Sequence, residues 1–245
     1  MPKKIHDIER NQITFLDERF YFNEKSGKWQ ASVTTQLQVY PKGFGFDQWL
    51  KDLGHNANEV LKRAQEQGTN IHDAIDQLNK GEKLEWITED KQNYTLDEWL
   101  MILKYADFYK TFKPEIISSE ESLVSDELGF GGTLDLVCKI DGEVWYIDYK
   151  SGKAIYKTNK IQGSAYKKIW NSQKKEQITR VGCMHLRAQT RGADKSGKKI
   201  QGEGWKIDEV KDDLYYLFEH AQAIWREENP NPKPKNMVYP GEIKL

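Results

Sequence analysis

The spacing of apolar and polar residues changes period several times along the chain, and each change marks a predicted element. Ile13 to Phe22 and Lys28 to Thr34 are rich in strand formers and flank Asn-Glu-Lys-Ser-Gly, which predicts an opening hairpin with a loop. Phe46 to Leu53 and Ala57 to Gln67 carry helical spacing, the second ending at Gly68 as helices often do. Thr69 or Asn70 caps a further helix to about Leu78, with His72 in its first turn. Gly81 to Asn93 reads as an acidic, irregular connector. Thr95-Leu-Asp-Glu98 is a capping box that opens a helix ending before Pro114, with Leu100, Leu103, Phe108 and Phe112 expected to face the core. Ile116 to Ser125 predicts a strand. Beyond a central pair of strand-like runs come a helix over about Lys160 to Ser172, a strand over Ile178 to Leu186 and a Gly- and Lys-rich loop over 192–204. A strand over Trp205 to Val210 precedes a last helix to Glu228, capped by Asp208 or Asp212, with Leu214, Leu217, Phe218, Ala221 and Ile224 inward. A proline-rich extended tail starts at about Asn229. Helices alternating with a central group of strands give an α/β or α+β fold. No repeat or linker divides the 245 residues, so a single domain is expected.

The central runs carry the chemistry. Asp141-Gly142 lies between them and predicts a two-residue hairpin turn. Folding about that turn sets residue 140 against 143 and Asp135 against Asp148, their Cβ atoms roughly 4.5–5.5 Å apart on one face. Side chains alternate along a strand, so Lys150 points the same way, while Leu136 with Ile147 and Cys138 with Trp145 form the opposite, core-facing side. Two like charges set against each other destabilise a bare sheet. A divalent cation between them removes the conflict, and hard oxygen ligands suit Mg²⁺ or Mn²⁺. The bland alternative is a surface hairpin whose aspartates are merely solvated.

Charge sharpens this picture. Lys and Arg number 37 against 38 Asp and Glu, which excludes a general polycation, so any affinity for nucleic acid must be local. Residues 149–175 supply it: they contain no acidic side chain but hold Lys150, Lys153, Lys157, Lys160, Lys167, Lys168, Lys174 and Lys175. Such a face binds phosphates with a strong salt dependence. The two cysteines are too few for a disulfide framework, a zinc site or a four-cysteine iron–sulfur cluster. No apolar run approaches the roughly 20 residues of a membrane span, and the first residues lack the apolar stretch of a signal peptide. A cytoplasmic protein with no membrane contact is expected.

Gly-Thr-Leu-Asp135 followed by Ile-Asp148-Tyr-Lys150 resembles the core of the PD-(D/E)XK nuclease superfamily, and in particular its RecB-like and phage-type exonucleases. Leu134 stands where the motif's name has proline. Gly68-Thr69-Asn70-Ile71-His72 is similar to the upstream Gly-Thr-x-x-His of those members, and Gln162-Gly-Ser-Ala-Tyr166 to their Gln-x-x-x-Tyr helix. Glu120, or its neighbour Glu121, lies where they carry a further acidic residue. The resemblance implies a restriction-endonuclease-like core, a central mixed β-sheet flanked by helices. It implies one or two Mg²⁺ or Mn²⁺ ions on His72, Glu120, Asp135, Asp148 and the backbone carbonyl of Tyr149. Lys150 would act on the attacked phosphate, Gln162 would orient Lys150 or a phosphate, and Tyr166 would lie near DNA. Lys153, Lys160, Lys167, Arg187 and Arg191 are further candidate DNA contacts, as is Trp205. The implied activity is metal-dependent hydrolysis of DNA at ends or in single strands, leaving 5′-phosphates, in recombination, repair or phage DNA metabolism with a protein partner from such a pathway. A non-catalytic DNA-binding scaffold and a structure-selective endonuclease are the competing readings.

Overall fold

The computed structural model describes residues 6–240 and 242–244, with the backbone alone at 44 and 47. The chain opens with four short antiparallel strands, β1 (His6–Asp7), β2 (Gln12–Phe15), β3 (Glu18–Asn23) and β4 (Lys28–Ala31), which form one sheet in that order. The expected single strand over Ile13 to Phe22 is therefore two. Leu16 and Asp17 both take left-handed backbone conformations (φ 49° and 62°) and turn the chain between β2 and β3 without a glycine to announce it.

Helices α1 (Val33–Gln36), α2 (Phe44–Leu53) and α3 (Ala57–Asn79) follow. Gly68 does not end a helix: α3 runs through it, and His72 sits well inside rather than in a first turn. A mid-helix glycine costs only about 1 kcal/mol relative to alanine, too little to break a helix whose inward face holds Ile71, Ala74 and Ile75. The capping box at Thr95 and Glu98 forms as expected and starts α4 (Leu96–Phe112). Its buried face, however, is Glu98, Met101, Ile102, Tyr105 and Phe108, while Leu100 and Leu103 are about half exposed. Tyr105 and Glu98 can turn inward because distant partners satisfy them, Asn79 accepting from the tyrosine hydroxyl and Asn70 donating to the glutamate.

The main sheet contains β5 (Glu115–Ser125), β6 (Phe130–Ile140), β7 (Glu143–Lys150), β8 (Arg180–His185), β9 (Gln201–Gly202) and β10 (Trp205–Glu209), in the order β5-β6-β7-β8-β10-β9. Only β7 and β8 pair in parallel, across the helix α5 (Lys157–Gln173), so the sheet is mixed. The chain closes with α6 (Tyr215–Glu228). Neither Asp208 nor Asp212 caps α6; Asp213 accepts from the Tyr215 N–H at 3.0 Å, and Trp225 rather than the exposed Ile224 completes the inward face. The tail folds back far enough for Lys235 to reach Glu18 at 2.9 Å.

Each face of the main sheet has its own core. Leu136, Cys138, Trp145 and Ile147 pack against Ile71 and Ile75 of α3 and Met101, Tyr105 and Phe108 of α4. Val137, Val144 and Tyr146 pack against α5, α6 and Val33 of α1. Cys138 lies in the first of these cores and Cys183 is buried on β8; both are free, and burial pushes each thiol up to about 12. Two tyrosines press on consecutive glycines of β6: a methyl group at Gly131 would lie 2.8 Å from the Tyr21 ring, and one at Gly132 only 2.2 Å from the Tyr166 ring.

Two substitutions test this packing by urea unfolding. Gly132→Ala should destabilise by about 1–3 kcal/mol through overpacking. At Gly68 the nearest outside atom to an added methyl is Ser151 Oγ at 3.7 Å, so Gly68→Ala should stabilise by roughly 0.5–1 kcal/mol. A destabilised Gly68→Ala would mean that the helix does end there.

Candidate active site

The site grows out of the hairpin. Leu136 pairs with Ile147, Cys138 with Trp145 and Ile140 with Glu143 about Asp141-Gly142, whose φ angles of 51° and 81° fit a tight hairpin turn. Asp135 and Asp148 come next in that register, and both are buried. On the other side of β6, Ser119 pairs with Leu136 and Glu121 with Leu134, which sets Glu120 against Asp135. Three carboxylates thus stand in a row across three neighbouring strands. Glu120 holds a left-handed backbone conformation (φ 50°) in mid-strand, a strained arrangement that costs of order 1–3 kcal/mol and is characteristic of functional positions.

His72 reaches the row from α3. Its Nδ1 lies 3.3 Å from Glu120 Oε1 and 3.5 Å from Asp135 Oδ1, and donor atoms of the three residues all fall within 4.8 Å of one another. The second oxygen of Asp135 accepts the Tyr149 N–H at 2.8 Å, which fixes the carboxylate plane. Lys150 lies beside Asp148, Nζ 2.7 Å from Oδ2, and the Tyr146 hydroxyl donates to Asp148 Oδ1 at 3.2 Å.

Burial and charge set the protonation states. Burial disfavours the His72 imidazolium, but Asp135 and Glu120 outweigh it and push the histidine up to about 10. Burial also opposes the Asp135 carboxylate, yet His72, Lys150 and the Tyr149 N–H hold it below its ordinary range. Glu120 is raised, chiefly by burial. Burial lifts Asp148 to about 6 despite Lys150. Lys150 itself, opposed by burial but facing Asp148 and Asp135, stays raised and therefore charged at neutral pH. The raised imidazole answers the two carboxylates on either side of it, Glu120 and Asp135. An imidazole nitrogen with two carboxylates is a donor set that fits a divalent ion in the proton's place.

The other predicted residues divide. Gln162 of α5 donates to the Tyr166 hydroxyl at 3.3 Å, and Tyr166 is buried against Tyr146 and Gly132. Glu121 turns away from the row to Ser118 and Lys174. Lys153 is exposed in the segment after β7, and Lys160 lies near Cys183, the β8 residue beside Asp148. Lys167 donates to the Thr179 carbonyl at 2.9 Å, Arg187 is held by Gln67 and Asp97, and the Arg191 backbone forms an isolated antiparallel β-bridge with Glu203 at the mouth of the 192–204 loop. Trp205 is core, its ring N–H on Asp107 at 2.7 Å. Two arginines went unread in the sequence. Arg10, in the turn between β1 and β2, lies 3.4 Å from Glu120 Oε2, and Arg19 of β3 stands near Tyr21, Tyr166 and Glu120. Nothing local distinguishes either of them; only the docking of the small sheet brings them in.

A carboxylate row with an adjoining lysine, built on the hairpin of a mixed sheet with helices on both faces, defines a restriction-endonuclease-like fold carrying a metal-dependent nuclease centre. The chain belongs to the PD-(D/E)XK nuclease superfamily, whose sequence profile matches residues 19–235. Membership carries metal-dependent nuclease activity with DNA as the substrate. No curated protein matches the chain. No helix among the described residues is long and apolar enough to cross a membrane.

The protonation of His72 gives a direct test. Because its folded-state value is raised, the stability it contributes is complete below about 6.5 and is lost as the pH climbs towards 10. Urea midpoints in EDTA should therefore fall between pH 7 and 9.5, and His72→Gln should flatten that fall. Adding Mn²⁺ at pH 7.5 in weak buffer should release close to one proton per ion bound. A midpoint that rises over this range, or metal binding without proton release, would contradict the assignment.

Proposed function

We propose that the chain is a DNA exonuclease acting at ends or on single strands, with Mg²⁺ or Mn²⁺ held by His72, Glu120 and Asp135 and with Asp148 and the Tyr149 carbonyl completing the site. The observation that carries this reading is the convergence of His72, Glu120 and Asp135 beside the Asp148–Lys150 pair. The imidazole in the donor set favours Mn²⁺ over Mg²⁺ in affinity, since carboxylate and carbonyl oxygens suit both ions but nitrogen ligands suit the later one better. The end-directed activity is supported by the Gly-Thr-x-x-His and Gln-x-x-x-Tyr motifs, which resemble those of RecB-like exonucleases. Recombination, repair or phage DNA metabolism is the corresponding setting.

An ion bound there supplies Lewis acidity and a water of lowered pKa. The chain's own groups do the rest. Asp135, with one oxygen fixed by the Tyr149 N–H, presents the other towards His72. Asp148 keeps Lys150 charged and aimed, and the ammonium donates to a non-bridging oxygen of the attacked phosphate as negative charge builds there. Gln162, which donates to the Tyr166 hydroxyl, would add a neutral donor. Held beside Asp148, Lys150 serves in this reading as a donor to the phosphate.

End-labelled linear DNA, single-stranded and duplex, tests the activity with Mg²⁺, Mn²⁺ or EDTA. Asp135→Ala, Asp148→Ala, Lys150→Ala and Glu120→Gln should each reduce the rate by about 10²-fold or more. Glu121→Gln should stay within a few-fold of wild type. Loss of activity in Glu121→Gln but not in Glu120→Gln would reverse the assignment. Circular single-stranded DNA should survive; its cleavage would replace the exonuclease with an endonuclease.

A further inference from the structure

The small N-terminal sheet has two unlike faces. Gln12 pairs with Tyr21, Thr14 with Arg19 and Tyr21 with Gln30, and paired residues share a side of the sheet. Gln12, Thr14, Arg19, Tyr21 and Gln30 therefore lie together. Phe20 and Ala31 lie on the other side, packed against Trp225 of α6. The first face is turned towards the main sheet, where Tyr21 Oη meets Thr133 Oγ1 at 2.9 Å and Gln30 donates to Asp126 Oδ1 at 2.9 Å. Tyr21 packs its ring on Gly131, whereas Gln12, Thr14, Arg19 and Gln30 make the rest of this face polar. The buried Oε1 of Gln12 has no hydrogen-bond partner among the described residues.

Arg19 occupies this face beside the carboxylate row. The residue is half-buried and lies close enough to Tyr21, Tyr166 and Glu120 to be influenced by all three. Arg10, Arg180 and Arg187 each have a carboxylate partner; among the described residues Arg19 has no ion pair. Withdrawing a guanidinium from water without a counter-charge is unfavourable, and the ligand that completes its planar fork is a carboxylate or a phosphate. Glu120 is on β5 and Lys150 on β7, with β6 between them, so Arg19 stands at the opposite end of the row from Lys150. We propose that Arg19 binds a phosphate of the cleaved DNA strand on the Glu120 side of the row. The proposal rests on the nuclease reading and adds a second phosphate contact to it.

The side chain can be removed without disturbing the strand. The Arg19 N–H donates to Thr35 Oγ1 at 2.9 Å, and its carbonyl accepts from the Ser32 N–H at 2.8 Å, both through the backbone. Wild type, Arg19→Ala and Arg19→Lys would be titrated onto labelled single-stranded DNA in EDTA and in Ca²⁺ over a salt series, with thermal melts confirming folding. Arg19→Ala should bind about 10- to 100-fold more weakly, the loss of a charge-assisted contact. The slope of log affinity against log salt should become shallower by about 0.7, the value of one phosphate contact. Arg19→Lys should keep the slope and recover part of the affinity. Equal affinity and slope for Arg19→Ala would overturn the proposal, as would a wild-type protein that binds no DNA. Arg19-dependent binding by a wild type that cleaves nothing in Mg²⁺ or Mn²⁺ would sustain the contact and sink the nuclease reading alone. Cleavage that depends on Lys150 but not on Arg19 would do the reverse.

Discussion

Buried like charge is the constraint around which this molecule is arranged. Glu120, Asp135 and Asp148 stand on adjacent strands with little access to water, and no sheet tolerates such a row uncompensated. The compensating cations come from separate parts of the chain: His72 from α3, Lys150 from β7 and Arg10 from the turn before β2. Each cation ties its own element to the row, so the placement of α3 and of the small sheet is electrostatic as well as apolar. The left-handed backbone at Glu120 belongs to the same economy, because it delivers a third carboxylate to the row while Glu121 leaves for Lys174.

What could be read in the sequence was what the chain fixes locally. The hairpin was legible because its register follows from one Asp-Gly turn and an alternation of period two, and the capping box at Thr95 because its partners are three residues apart. The inward face of α4 was not, since the helix is apolar on several sides and its buried Glu98 and Tyr105 are satisfied by Asn70 and Asn79 of another helix. Gly68 misled for the opposite reason: a residue that often ends helices lies here inside one. The turn at Leu16-Asp17 carried no glycine and so no signal.

The site divides along the same line. Asp135, Asp148 and Lys150 could be placed by spacing, whereas the choice between Glu120 and Glu121 turns on a single backbone dihedral that no pattern encodes. Arg10 and Arg19 depend on the docking of one sheet against another, a contact between segments far apart in the chain. Tyr166 shows a motif residue whose position is structural: it is buried against Gly132, three residues before Asp135, and so helps set where that aspartate stands.

The two buried thiols give the catalytic strands an intrinsic reporter. Cys183 lies beside Asp148 in the parallel ladder and Cys138 stands three residues after Asp135, each sealed from solvent and held in the unreactive thiol form. An alkylating reagent can therefore label them only when the strands carrying the carboxylates open. The rate of thiol modification becomes a clock for the opening of the metal-binding sheet, readable in the native protein without any added probe.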